Sequence, residues 1–128
     1  MTVLATFARV CVSDLDAALA AFAAAGVDGV RLRFRHGSGL ELALVGDVLV
    51  LAGPDEVLAP FRATDVTIVV DDVEVAVRDA LRGGAEVVRE VALQPVGRNA
   101  TVAFPAGPVV EFVEWDDATR ASVGLGPS

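Results

Sequence analysis

The stretch Phe7–Leu32, FARVCVSDLDAALAAFAAAGVDGVRL, repeats itself without a gap as Asp65–Glu90, DVTIVVDDVEVAVRDALRGGAEVVRE. The identical matched residues are Val12 with Val70, Asp14 with Asp72, Ala18 with Ala76, Gly26 with Gly84, Val30 with Val88 and Arg31 with Arg89. Such self-similarity indicates a duplicated supersecondary unit. The repeat therefore predicts a domain built from two copies of one unit, with its function where the copies meet.

Each copy has the pattern of a strand, a helix and three further strands, which predicts an α+β fold of two βαβββ modules. Ser13 and Asp71 are followed three positions later by an acidic residue, so they are the predicted helix caps. Gly26 and Gly84 are the predicted helix ends. The predicted strands are Phe7–Val12, Gly29–Arg35, Leu40–Val45, Asp47–Ala52, Asp65–Val70, Ala85–Val91, Arg98–Phe104 and Pro108–Trp115.

The chain of 128 residues, 54% hydrophobic, predicts a single domain with an ample core. Module one covers residues 2–53, the linker 54–62, module two 63–116, and a short tail 117–128 follows. We expect the chain to be frayed from Asp116 onward.

Composition excludes several classes of function. The net charge of −8 disfavours nucleic acid and anionic membranes, and favours a cation among small organic ligands. Without lysine or tyrosine, Schiff-base and phenol chemistry are excluded. His36 is the only histidine, and its glycine-rich surroundings predict a solvated loop residue. The single cysteine, Cys11, and a start without a secretion signal predict a cytoplasmic protein.

The paired modules, the junctions VSDLDAA and VDDVEVA, and the closing PAGPVVEFVE resemble the glyoxalase/bleomycin-resistance/dioxygenase family, the vicinal oxygen chelate superfamily. The similarity covers nearly all of Thr2–Trp115. It implies a curved mixed sheet that forms an open cup. It also implies one of several functions, because the superfamily includes metal-dependent enzymes and metal-free proteins that sequester antibiotics.

In the superfamily's enzymes, four side chains facing the cup hold a divalent metal. The resemblance places these positions at Phe7, Val50, Asp65 and Glu111, with Val50 assigned by aligning Gly46 with Gly107. Two carboxylates without imidazole are too few for a typical catalytic metal site, so we expect no metal and no cofactor. The alternative is Mg²⁺ or Mn²⁺ held by the two carboxylates and water.

If Asp65 and Glu111 point into the cup, strand alternation gives the other residues of its lining. The predicted ligand-binding residues are Phe7, Arg9, Cys11, Val50, Thr67, Arg98, Val109, Val113 and Trp115. The alternatives are that Phe7 is a wall residue, that Cys11 is a small buried hydrophobe, that Trp115 packs against a partner subunit, and that Arg98 is solvated.

Three functions remain open. The first is a metal-free protein that sequesters or carries a small organic ligand, such as an antibiotic or another natural product. The second is a biosynthetic isomerase, cyclase or lyase in which Asp65 or Glu111 acts as acid or base. The third is a structural module whose cup is filled by its own side chains. We also expect a homodimer, since an open, valine-rich sheet edge favours association.

Overall fold

The computed structural model describes residues 1–125, and the βαβββ order is present twice. The strands are β1 Val3–Val12, β2 Val30–Arg35, β3 Glu41–Val45, β4 Val48–Ala52, β5 Val66–Val70, β6 Glu86–Gln94, β7 Gly97–Ala103 and β8 Val109–Trp115. The helices are α1 Leu15–Ala24, α2 Asp55–Leu58, α3 Val73–Arg82 and α4 Asp117–Ser122, with a 3₁₀ turn at Ala59–Phe61. The predicted α+β fold of two such modules is confirmed.

The chain divides into two compact units, and strand β1 contributes to both. The first unit is Ala8–Ala63, and its strands lie in the order β2, β3, β4, β1. Its β2–β3 and β3–β4 pairs are antiparallel, whereas β1 and β4 are parallel. Helix α1 covers one face of this sheet, where Leu15 packs in a core cluster with Ala43 and Val50.

The second unit combines Met1–Phe7 with the chain from Thr64 onward. Its strands lie in the order β1, β5, β8, β7, β6, with β5 and β8 parallel and the β8–β7 and β7–β6 pairs antiparallel. Helix α3 covers one face, where Ala76 packs in a core cluster with Val102 and Phe112. In both units, one face of the sheet is thus occupied by a helix.

The helix caps lie one residue later than predicted. The Asp14 carboxylate accepts a hydrogen bond from Ala17 N at 3.0 Å, and Asp72 accepts from Glu74 N and Val75 N at 3.1 Å. Two adjacent residues at each junction are chemically able to cap, and backbone geometry selects the second. The predicted helix ends are confirmed, because Gly26 and Gly84 have φ of 87° and 95°.

The expectation of a frayed chain from Asp116 is wrong up to Leu125, and residues 126–128 lie outside the described part of the chain. Asp116 accepts a hydrogen bond from Thr119 N at 2.8 Å and begins helix α4. Thr119, Arg120 and Val123 are buried in the second unit. Within residues 1–125, no helix is long and apolar enough to cross a membrane.

Candidate functional site

The second unit carries a row of polar residues on the sheet face that is turned away from α3. Val110 and Phe112 pack in the α3 cluster, and alternate residues of a strand point to opposite faces. Glu111 therefore lies on the other face. The strand register pairs it with Thr67 on β5 and with Thr101 on β7. A carboxylate thus stands between two hydroxyl side chains across three adjacent strands.

Both carboxylate oxygens of Glu111 accept hydrogen bonds from neighbouring side chains. Thr67 Oγ1 donates to Oε1 at 3.0 Å, and Asn99 Nδ2 donates to Oε2 at 3.0 Å. Thr67 is buried, whereas Glu111 and Asn99 are half-buried. Because two donors hold the carboxylate, its orientation is defined. Because it is only half-buried, solvent or a small molecule can reach it.

Apolar side chains flank this polar row on β8. Val109, Val113 and Trp115 alternate with Glu111 on the same face, and Val109 is half-buried while the other two are buried. Trp115 stacks on Phe7 with a ring-centroid distance of 5.8 Å and an interplanar angle of 28°. Phe7 is 1% exposed and Trp115 is 6% exposed. The two rings are therefore packed against each other and buried, at the end of β8 that follows Glu111 and Val113.

Asp65 lies outside this row, at the edge of strand β5. Its carboxylate accepts a hydrogen bond from Val109 N at 2.8 Å, and its own backbone N donates to Val109 O at 2.8 Å. Asp65 is exposed, whereas it was predicted to lie beside Glu111 in the lining of the cup. Its contacts join the start of β5 to the start of β8. Glu111 is thus the carboxylate that the polar row contains.

In the first unit, the position that corresponds to Glu111 is Leu49, and the assignment of Val50 is corrected by one residue. Thr67 pairs with Glu111 in the second unit, and its repeat equivalent Arg9 pairs with Leu49 in the first. Val50 is fully buried in the core cluster with Leu15 of α1. It lies on the helix side of the sheet, away from the face of Arg9.

The sheet face of the first unit that is turned away from α1 is lined mainly by leucine. Arg9 and Cys11 lie on it, since they pair with Leu49 and Leu51. Arg9 Nη2 donates to Phe61 O at 3.4 Å, so the 3₁₀ turn of the linker reaches this face. The leucines that share the face are buried: Leu42, Leu44, Leu49 and Leu51. The position that corresponds to Glu111 is therefore occupied by the buried, apolar Leu49 in this unit.

Arg98 does not lie on the face of Glu111. It shares the α3 face with Ala100, and its Nη2 donates to Glu114 Oε1 at 2.9 Å. Its Nη1 donates to Glu74 Oε1 at 3.2 Å. The hydrogen bond to Glu114 raises the pKa of the Arg98 guanidinium. The expectation of a ligand clamp at Arg98 is therefore replaced by an ion pair that ties β7 to β8 and to α3.

A cleft lies at the start of α1 in the first unit. This cleft of about 360 Å³ includes Arg33, whose Nη1 lies 2.9 Å from Asp16 and whose Nη2 lies 3.6 Å from Glu41. Asp14, also in the lining, caps α1. The charged groups of the cleft thus pair with one another or cap the helix. His36, which was expected to be a solvated loop residue, lies outside this cleft in a turn with Ser38.

No protein-family model and no curated protein matches the chain, whereas several solved structures resemble it. An uncharacterized protein from Methanosarcina mazei is 34% identical, with 91% of this chain and 96% of that chain covered and a TM-score of 0.83. Methylmalonyl-CoA epimerase from Mycobacterium tuberculosis is 17% identical, with 93% of each chain covered and a TM-score of 0.66. A hypothetical protein from Bacillus halodurans is 14% identical, with 84% and 91% covered and a TM-score of 0.62.

The chain has the vicinal oxygen chelate fold. The epimerase carries that fold, and the agreement extends over 93% of both chains. At 34% identity over nearly the whole of both chains, the chain belongs to one family with the M. mazei protein. The fold that was expected from the repeat and the closing motif is therefore confirmed.

Of the four positions at which the resemblance implies metal ligands, only two carry a ligating side chain in this chain. With the corrected register they are Phe7, Leu49, Asp65 and Glu111. The first two are apolar, and the carboxylate of Asp65 accepts a backbone hydrogen bond. Within residues 1–125, no group of three or more histidine, cysteine, aspartate or glutamate side chains is placed to hold a metal ion. The donor set is too small for the three protein ligands that catalytic sites use.

Sequence reasoning missed Asn99, which donates to Glu111. Asn99 pairs with Val113 across β7 and β8, so its side chain lies on the face of Glu111 one pair away. The signal that could have found it is the alternation of β7, in which Ala100 and Val102 are the core residues. To place Asn99 next to Glu111 from this alternation also requires the register of β7 with β8, which depends on the conformation of the connecting turn.

Proposed function

We propose that the protein binds a small organic ligand without a metal, and that Glu111 is the central polar residue of the site. The observation that carries the proposal is the polar row of Thr67, Glu111 and Thr101, with Asn99 donating to Glu111, beside the apolar side chains Val109, Val113 and Trp115. A few fixed polar groups on an apolar wall are the usual composition of a small-molecule site. A polar cluster of this kind stabilises a fold poorly, so a ligand is the simplest reason for it.

The proposed ligand is an organic molecule, an antibiotic or another natural product that the protein sequesters or carries. The net charge of −8 favours a cation over an anion as the bound species. Nucleic acid and anionic membranes are disfavoured as partners by the same charge. We propose the cytosol as the site of action, in keeping with the free thiol of Cys11.

The second candidate is an isomerase, cyclase or lyase in which Glu111 acts as acid or base. It is favoured by the fold of methylmalonyl-CoA epimerase and by the apolar neighbours Val109 and Val113. Asp65 is exposed and bonded to Val109 N, so the proton transfer would depend on Glu111 alone. Binding ranks first because Thr67 and Asn99 hold both oxygens of Glu111 as hydrogen-bond acceptors.

We also propose a homodimer. Strand β6 is the outer strand of the second unit, and it exposes 54% of Val88 and 83% of Leu93. Exposed apolar side chains on an outer strand favour association with another chain. The strand's register with β7 shifts at Arg89, so simple edge pairing is discouraged there and side-chain packing is the expected mode.

Native mass spectrometry of protein isolated from its source, with metal analysis on the same sample, tests the proposed function. We expect a co-purifying organic mass and no stoichiometric metal. Stoichiometric nickel, zinc or iron would overturn the metal-free assignment. Protein that carries neither, and that takes up nothing from an extract of its source, would contradict ligand binding.

A further inference from the structure

The Asn99 side chain lies in a defined orientation because of its contact with Glu111. Only the nitrogen of an amide can donate to a carboxylate, so the 3.0 Å contact to Oε2 identifies Nδ2. The carbonyl oxygen Oδ1 therefore lies on the other side of the amide. Among residues 1–125, no donor forms a hydrogen bond with this oxygen.

The surroundings of Asn99 are accessible and largely apolar. Asn99 is half-buried, and its strand partners are the buried Val113 on β8 and the exposed Ala92 on β6. A polar atom in such a place must find a donor outside the protein, because an acceptor without a partner costs about 1–3 kcal/mol when it is buried. Ligand binding that covered this face would require the ligand to supply that donor.

We propose that Asn99 is the specificity-determining residue of the site: Nδ2 positions Glu111, and Oδ1 accepts an N–H or O–H of the ligand. The inference rests on the proposed function of the Glu111 face. The ligand's apolar part lies against Val113 and Ala92, which flank Asn99. An anionic group is disfavoured, since it would lie beside the carboxylate of Glu111. The ligand class is thus an apolar molecule that carries a hydroxyl, amide or ammonium donor.

Three small probes of equal chain length test this class: 1-hexanol, hexyl methyl ether and hexanoate. Only the alcohol presents a donor without a negative charge. Each is titrated into ¹⁵N-labelled protein, and the backbone amides of β5, β7 and β8 and the Asn99 side-chain amide are followed by NMR. We expect 1-hexanol to bind this face at least about fivefold more tightly than the ether, which is the preference that about 1 kcal/mol for one neutral hydrogen bond gives.

Two variants separate a specificity role from a structural one. In Asn99→Leu, we expect 1-hexanol and the ether to bind equally. Gln94→Leu makes the same amide-to-apolar change on the neighbouring strand β6, and it should keep the preference. Asn99→Asp keeps an acceptor to which an alcohol can donate, so it should keep the preference for 1-hexanol over the ether.

Equal binding of the alcohol and the ether by the unaltered protein, or tighter binding of hexanoate, would overturn the role of Asn99 while leaving ligand binding at this face intact. The same holds if Asn99→Asp binds 1-hexanol and the ether equally. If no probe shifts the β5, β7 and β8 amides of the folded protein, the assignment of Asn99 also fails. The co-purifying mass then decides the proposed function separately.

Discussion

Thr67 and Glu111 face each other across the parallel strands β5 and β8, and the Thr67 hydroxyl donates to Glu111 Oε1 at 3.0 Å. Their repeat equivalents in the first unit are Arg9 and Leu49, an arginine and an aliphatic residue. The duplicated fold therefore carries different chemistry in its two halves. A carboxylate fixed by neutral donors occurs in the second unit, and the matching position of the first unit is apolar.

We expect Glu111→Gln to leave the free energy of unfolding within about 1 kcal/mol of the original value. The glutamine carbonyl can still accept from Asn99, and the Thr67 hydroxyl can rotate to accept from the new amide. The measurement is urea unfolding followed by circular dichroism. A loss of about 3 kcal/mol or more would show that Glu111 serves the fold rather than a ligand.

Asp65→Asn should keep both the stability and the affinity for the co-purifying compound. The asparagine oxygen can replace the carboxylate as acceptor for Val109 N, and Asp65 lies exposed at the strand edge. Calorimetric titration with the isolated compound tests this outcome. A tenfold loss of affinity would return Asp65 to the site as a partner of Glu111.

Glu114 links three elements, so its two simplest variants should differ in stability. Glu114 Oε1 accepts from Val73 N at the start of α3 and from Arg98 Nη2. Glu114→Gln keeps an acceptor for Val73 N and loses the ion pair, whose side chains are 33% and 25% exposed, so we expect a loss below about 1 kcal/mol. Glu114→Ala removes both contacts and should lose about 1–3 kcal/mol. Equal losses in urea unfolding would contradict this account.

Acid should weaken the ends of the chain first. The hydrogen bond from Thr119 lowers the pKa of Asp116 below its ordinary value of 3.8, and the hydrogen bond from Thr2 lowers the pKa of Asp71 in the same way. A group with a lowered folded-state pKa contributes stability above its unfolded pKa, and that contribution is lost as the pH falls through the folded-state value. We expect the melting temperature to fall between pH 5 and pH 2, and less steeply in Asp116→Asn. Identical slopes would contradict the assigned role of Asp116.

Gly97→Ala should destabilise the protein more than Gly107→Ala. Both glycines have positive φ, 149° and 110°, so both substitutions strain the backbone by about 1–3 kcal/mol. A Cβ at Gly97 would also overlap the carbonyl oxygen of Glu114, whereas one at Gly107 would meet nothing within 4 Å. We expect a further loss of at least about 1 kcal/mol at Gly97. Equal melting temperatures would show that β7 and β8 are less closely spaced than the structure indicates.

Light scattering tests the homodimer. A chain of 13.2 kDa should give about twice this mass at micromolar concentration. The exposed Leu93 and Val88 on β6 are the physical reason for expecting association. A mass of one chain that does not change with dilution would contradict it.

The repeat predicted the modules because helix and strand periodicities are local properties of the chain. The assignment of Val50 failed because the two hairpins differ in length: Val45 pairs with Val48, whereas Ala103 pairs with Val109. Matching Gly46 to Gly107 therefore shifts the register by one residue, and a shift of one moves every side chain to the opposite face. The prediction for Arg98 was wrong and Asn99 was missed because the face of each residue on β7 depends on the register of β7 with β8.

Occupancy of the protein by its natural ligand tests the central claim most directly. The original protein, Glu111→Gln and Glu90→Gln should be isolated in parallel from the source organism and compared by native mass spectrometry. Glu90 is exposed on β6, so Glu90→Gln makes the same change of charge away from the site. We predict the same organic mass on the original protein and on Glu90→Gln, and a lower occupancy of Glu111→Gln. The loss of one charge-assisted hydrogen bond should lower the affinity of that variant at least about tenfold. Equal occupancy of all three proteins would contradict the assignment of the site to Glu111.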